Sequence, residues 1–189
     1  MVKTARMDFF CYHRDRADSL ALRMELLEDH WSYMDGLAQG MIARGPTVEG
    51  DDEVPTGSVH ILTLPDAAAA RAFAFQEPGY QAGAYRDVML RRWRNDLGRT
   101  MWQFPGGAPE HDGYLVLALG EPRPVGDVPA VPDVAGLIAY GPLLSDDGDT
   151  WLGTIAMLRA SSADDARAAL PGTGYAEADV HQWRFGGRS

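Results

Sequence analysis

Gly40-Met-Ile-Ala-Arg-Gly-Pro46 recurs as Gly136-Leu-Ile-Ala-Tyr-Gly-Pro142, and the reading of the whole chain turns on that repeat. Gly57-Ser-Val-His-Ile-Leu62 likewise returns as Gly153-Thr-Ile-Ala-Met-Leu158. An alanine-rich stretch follows each, DAAAARAFAF in one half and SADDARAAL in the other. Each half then carries a Gly-Tyr pair, Gly79-Tyr80 and Gly174-Tyr175. Each closes on an Asp-Val segment running to a tryptophan, Asp87-Val88 to Trp93 and Asp179-Val180 to Trp183. The elements keep one order in both halves, which marks a tandem of two related units.

Period and punctuation give the first unit its elements. Asp8 to Tyr12 is a short apolar run, read as a buried strand. Asp18 or Ser19 caps a helix reaching about Gln39. Its Leu20, Met24, Leu27, Met34 and Leu37 fall at three- and four-residue steps, on one face. Gly40 stops it. Met41 to Ala43 and Val59 to Leu64 are two strands joined by the polar loop VEGDDEVPTG. Asp66 caps a second helix through Phe75, and Tyr85 to Trp93 is the last strand. The order βαββαβ is the ferredoxin-like arrangement, an antiparallel sheet with two helices on one face.

Tyr114 to Leu119 opens the second unit, but EPRPVGDVPAVPDVAG stands where the long helix should be. Pro122, Pro124, Pro129 and Pro132 each cost an interior helix about 3 kcal/mol, so this unit lacks its first helix. Residues 1–97 are expected as a ferredoxin-like domain with the candidate site, 98–113 as a linker and 114–189 as a degenerate second domain. Two such units hide their sheet faces by packing them together. The expected fold class is therefore α+β: two βαββαβ units in dimeric α/β-barrel-like packing within one chain, an intramolecular pseudo-dimer with room for a further homodimer.

The formal net charge of -10 repels phosphate, which excludes nucleic acid and disfavours an anionic membrane. No stretch approaches the roughly 20 apolar residues of a membrane span. MVKTARMDFFCYH has basic groups but no apolar signal region. Cys11 is alone, so no intrachain disulfide forms, and its apolar setting marks a buried structural thiol. A soluble cytoplasmic protein is expected.

His30 is the first candidate for chemistry. It shares a helical stripe with Arg23, Leu27 and Met34, at the edge of the apolar face. Asp15 lies in the loop before that helix, where the chain turns back. A carboxylate beside an imidazole fixes its tautomer and makes a general acid/base near neutral pH. Arg23 suits a substrate carboxylate or phenolate, or a helix-surface salt bridge; Ser58 suits a hydrogen bond to substrate or to backbone. His13 and His60 alternate with apolar neighbours and face either pocket or solvent. Their spacing to Asp15 and His30 forms no metal signature. Glu110-His111-Asp112 reads as polar linker, Arg91-Arg92-Trp93-Arg94 as local salt bridging, and Phe104-Pro105-Gly106-Gly107 and Gly45-Pro46 as turns.

Tyr12-His-Arg-Asp15-Arg-Ala-Asp18-Ser19-Leu20, with Arg23, His30 and Gly45-Pro46, resembles the start of the YciI-like (YCII-related) family. Thr56-Gly57-Ser58, Glu77-Pro78 and Ala82-Gly83 continue the match, which covers about the first half. The resemblance implies a dimeric ferredoxin-like fold and a His/Asp-centred pocket. One branch of the family is similar to a dehydrochlorinase acting on a chlorinated hydroxyhydroquinone. Carried over, it makes His30 and Asp15 the catalytic dyad, with Ser58 nearby as a substrate-binding pocket residue; Arg23 joins it as a substrate-binding candidate from its place on the His30 stripe. The family often has Asp-Pro-Tyr where this chain has Glu77-Pro78-Gly79, so that wall of the pocket is altered. With no counterpart of His30 in the second half, one site per chain is expected.

The expected function is a cofactor-independent enzyme of lyase, isomerase, dehydratase or cyclase type, moving a proton on a small cyclic or aromatic metabolite. The alternatives are a non-catalytic small-molecule-binding module or a partner-binding protein that uses the degenerate half as an interface.

Overall fold

Both faces of the first strand are buried. The structure, a computed structural model, describes residues 6–108, 112–170 and 174–187. In β1 (Met7–Asp15), Phe9, Cys11 and His13 point one way and Phe10 and Tyr12 the other, all five buried. The first set packs under the helices of the first half; Phe10 and Tyr12 join a core shared with the second half.

Around β1 the first half arranges β4 (Tyr85–Trp93), β1, β3 (Val54–Leu64) and β2 (Met41–Glu49), every pairing antiparallel. The second half repeats the order with β8 (Tyr175–Trp183), β5 (Gly113–Pro124), β7 (Thr150–Arg159) and β6 (Leu137–Leu144). Pairing of β2 with β8 and of β4 with β6 closes the eight strands into one barrel. Ile61, Trp93, Leu115, Leu117, Ile138, Ile155 and Trp183 fill its interior from both halves. Met101 and Phe104 are buried in that same core, so the connecting segment packs as well as tethers.

The two closing seams are short, with two register pairs each: Thr47↔Trp183 and Val48↔Gln182, then Arg92↔Leu144 and Trp93↔Leu143. Backbone bonds extend both. Arg184 N donates to Pro46 O (3.0 Å) and Gly186 N to Arg44 O (3.1 Å); Arg94 N donates to Pro142 O (3.3 Å) and Asp96 N to Tyr140 O (3.1 Å). The Gly-Pro pairs of the repeat thus lie inside β2 and β6 and not in turns. Glycine there lets the chain of the other half approach closely. A Cβ on Gly45 would stand 1.9 Å from Arg184 O, and one on Gly141 1.7 Å from Arg94 O.

Several elements differ from expectation. β2 and β3 run to Glu49 and back from Val54, which shortens the polar loop to a tight connection with Gly50 at φ 71°. Asp15 ends β1 and does not lie in a loop. The long helix is two pieces, α1 (Leu20–Glu25) and α2 (Leu27–Asp35), broken at Leu26. Of its apolar stripe only Met34 is buried. The helix spans a cavity instead of lying flat on the sheet, and Met24 and Leu27 face that cavity. α3 (Ala67–Gln76) is capped by Asp66, which accepts from Ala69 N at 2.8 Å. α4 (Pro78–Gln81) follows it, and α5 (Ala163–Ala168) is the second half's one α-helix among the described residues. Tyr175 opens β8 as Tyr85 opens β4, so the Gly-Tyr pairs of the sequence are not equivalent positions, nor are Asp87 and Asp179. Met1–Ala5, at the start of the leader reading, and Glu110 and His111 lie outside the described residues. No helix among the described residues is long and apolar enough to cross a membrane.

Candidate active site

Ser58, His60 and Leu62 alternate with Val59 and Ile61 along β3, so the first three face the helices and the other two the barrel core. Above Ser58 and His60, helices α1 and α2 hold a cavity of about 250 Å³. Arg44, Gly45 and Pro46 of β2 form one wall, and Glu77, Gly79 and Tyr85 another. Phe185, Gly186 and Gly187, the chain beyond β8, supply the last side. The second half therefore contributes to the site of the first. An Arg184–Glu53 ion pair (2.6 Å) fixes that segment to the β2–β3 connection.

His30 presents its ring to this cavity, and its carboxylate partner is Glu77. Nδ1 of His30 lies 2.7 Å from Glu77 Oε1, while Glu77 Oε2 accepts from Tyr80 N at 2.8 Å. Glu77 is wholly buried and caps α4. Burial raises its pKa, but the hydrogen bond and charge of His30 and the Tyr80 and Gly79 amides outweigh it, leaving the carboxyl below its ordinary range. A carboxylate accepts only, so the neutral ring carries its hydrogen on Nδ1 and leaves the Nε2 lone pair for a ligand.

Asp15, the expected partner of His30, is paired instead with Arg23. Arg23 Nη1 donates to Asp15 Oδ1 (2.7 Å) and Nη2 to Ser58 Oγ (3.0 Å). Asp15 is the last residue of β1 and its partner Arg23 stands on α1, whereas His30 stands on α2. The Asp15 side chain is 7% exposed, and Oδ2 has no hydrogen-bond partner among the described residues. Burial raises the Asp15 pKa, and Arg23 pulls it back. Arg23 and Ser58 do line the cavity, but Arg23 spends its charge on Asp15.

The other histidines divide. His13 is fully buried beneath α3, with Nε2 2.8 Å from Ala74 O, and does not line the cavity. His60 does, with ring centroids 5.5 Å from His30 and 6.3 Å from His13. Its Nδ1 is buried without a partner. Burial, then the charges of His30, His13 and Arg44, hold it neutral, well below the ordinary imidazole pKa. Burial also pushes up the Cys11 thiol, in keeping with a structural role. No group of three His, Cys, Asp or Glu side chains among the described residues is arranged to hold a metal.

The scan against family models matches residues 7–94 to the YCII-related domain. Residues 7–94 thus look like a YCII-related domain. An uncharacterised protein of Haemophilus influenzae is 28% identical over 95 residues, 47% of this chain and 97% of that protein. Among solved structures, a 5-chloro-2-hydroxyhydroquinone dehydrochlorinase of Burkholderia phenoliruptrix, in complex with 2,5-dihydroxybenzoquinone, is 27% identical. That likeness covers 49% of this chain and 99% of the enzyme, with a TM-score of 0.46. A protein of Fusobacterium nucleatum described as a putative monooxygenase is 10% identical, covering 97% of this chain and 94% of its own, with a TM-score of 0.54. It shares the fold over both halves, so the YCII-related domain is one side of an α+β barrel that the second half completes.

Within the YCII-related domain, the carboxylate on His30 was missed in the sequence, although its signal was present. Glu77-Pro78-Gly79 stands where the resemblance gives Asp-Pro-Tyr, and Glu77 is an acid at the place of that Asp. The ion pair also gives the domain a pH signature. A carboxyl held low in the folded state lends stability above its unfolded pKa and loses it as pH falls through the folded value. The stability gap between wild type and Glu77→Gln is thus expected to be level near neutrality and to narrow below the ordinary glutamate pKa of 4.5. Urea unfolding across pH 3–7 reads that gap.

Proposed function

We propose that the chain is a cofactor-independent enzyme in which His30 Nε2 moves a proton on a small cyclic or aromatic substrate, with Glu77 holding the ring through Nδ1. The observation that carries this reading is the 2.7 Å contact between His30 Nδ1 and the buried Glu77 carboxylate at the wall of a cavity. A buried carboxylate fixes the tautomer and stabilises the imidazolium formed when Nε2 takes a proton. Returning that proton to another substrate atom, or to a leaving group, gives isomerisation, dehydration, cyclisation or elimination. A lyase or isomerase is the class this serves.

Asp15 takes a supporting role in this reading. It orients Arg23, whose second nitrogen reaches Ser58, and this row forms the floor beneath the substrate. Leu26, Leu27, Trp31, Met34 and Phe185 provide the apolar lining a ring would contact.

The test is a panel of enolisable cyclic ketones and hydroxylated benzenoids, including chlorinated hydroxyhydroquinones, followed by NMR for proton exchange and turnover. Wild type is expected to act on one class and a folded His30→Ala protein on none. Turnover that survives in a folded His30→Ala protein would refute the assignment. Binding without reaction in both proteins would favour a non-catalytic binding module.

A further inference from the structure

The charges on the cavity wall do not cancel one another. Glu77 is engaged by His30 and the Tyr80 amide, and Asp15 by Arg23, so each carboxylate has its own cation or donors. Arg44 is different. Its Nη1 donates to Asp35 Oδ1 at 3.5 Å, a long contact to a side chain 45% exposed, and its buried Nε has no partner among the described residues. Its guanidinium is held from two sides, 6.0 Å from the Trp102 ring and against Gly187, where a Cβ would come within 2.3 Å of Nη2. Beside it stands His60, 2% exposed, lining the same cavity, with Nδ1 orphaned and no hydrogen bond to another described residue. A neutral imidazole has one N–H and one lone pair, and the tautomer with hydrogen on Nε2 leaves only a lone pair unsatisfied at Nδ1. The N–H then serves as a donor to whatever fills the cavity.

The second half supplies an internal comparison. At the repeat positions of Arg44 and His60 it has Tyr140 and Ala156, and at Ser58 it has Thr154. All three are fully buried: Tyr140 and Ala156 pack into the apolar cluster there, and Thr154 bonds to Trp151 and Tyr175. Where that half closes its core with apolar packing, the first half keeps a cation and a donor facing open space.

We propose that the cavity takes a small planar ligand bearing an anionic oxygen group, a carboxylate or phenolate, held by the Arg44 guanidinium and the His60 N–H. This deepens the reading of the cavity as a substrate site by naming the class of substrate. Guanidinium presents paired donors matched to two oxygens of one group, and a neutral imidazole adds a donor without adding charge. The ring of such a ligand lies toward Trp31 and Phe185, and the reacting atom toward His30.

Calorimetric titration of the full chain with benzoate and with benzamide, its neutral analogue of the same shape, tests this. Benzoate is expected to bind at least about tenfold more tightly than benzamide. Arg44→Met is expected to erase that preference, and Arg44→Lys to keep part of it, which guards against a folding defect in the first variant. The titration reads binding without turnover, so loss of anion recognition is scored separately from failure of the proton-transfer reading. Equal affinity for the two compounds, no saturable binding of benzoate, or a preference that survives Arg44→Met would overturn the proposal.

Discussion

Glu77→Ala is expected to lower the stability of the chain by about 3 kcal/mol, and Glu77→Gln by roughly half as much. Alanine removes the cap of α4 and leaves Tyr80 N without its acceptor. It also strands the His30 ring over an empty space behind the cavity wall. Each of those losses falls at a site where solvent does not compensate, because Glu77 is fully buried. Glutamine offers one oxygen where Glu77 uses two: with that oxygen on the Tyr80 amide, its NH2 faces His30 Nδ1, and the charge is lost. For a chain of this size the alanine loss corresponds to a fall in Tm of about 10 °C. Thermal and urea unfolding of the two variants measure it. A Glu77→Ala protein as stable as wild type would mean that the carboxylate does not join α4 to α2.

Gly141→Ala is expected to be at least as damaging, by about 3 kcal/mol, although it touches no candidate site residue. The Cβ would meet Arg94 O at 1.7 Å and Arg94 C at 2.9 Å, backbone atoms that cannot rotate away. Moving them breaks the bonds from Arg94 N to Pro142 O and from Asp96 N to Tyr140 O, which extend the short β4–β6 seam. Trp93, whose indole Nε1 donates to Gly141 O at 3.0 Å and whose ring fills the barrel, moves with them. Gly45→Ala strikes the opposite seam and should additionally disturb the cavity, since Arg184 O lies 1.9 Å from that Cβ and Phe185 follows. Denaturant midpoints of both variants, with Gly126→Ala as a control in open space, check the ranking.

Much of this architecture was legible because it rests on repetition and period. The twice-used Gly-Pro segment and the matching strands pointed to two units whose sheets meet, and β4 runs from Tyr85 to the tryptophan at Trp93, the bounds expected for the last strand. Pro122, Pro124, Pro129 and Pro132 excluded a helix on local grounds alone: the first two lie in the end of β5, and a single 3-10 turn, Val125–Asp127, follows. What local reading lacked was the seam. Gly45-Pro46 looks like a turn until another chain segment must pass within contact of its Cα.

The site was half legible for the same reason. His30 and Arg23 share a helical stripe and Ser58 is implied by the resemblance; all three line the cavity. The choice between Asp15 and Glu77 depends on how α2 lies across the sheet, a tertiary relation that the spacing of residues along one element does not encode. Arg44 and His60 were overlooked as a pair because they stand on neighbouring strands, β2 and β3, where Arg44 is directly opposite His60.

The central claim is that Glu77, and not Asp15, holds the His30 ring. Long-range ¹H–¹⁵N spectra of the His30 imidazole in wild type, Glu77→Gln and Asp15→Asn test it most directly, because the two ring nitrogens report the tautomer separately. A hydrogen fixed on Nδ1 in wild type and in Asp15→Asn, and lost in Glu77→Gln, is the predicted result. A tautomer that ignores Glu77→Gln, or that collapses in Asp15→Asn, would contradict it.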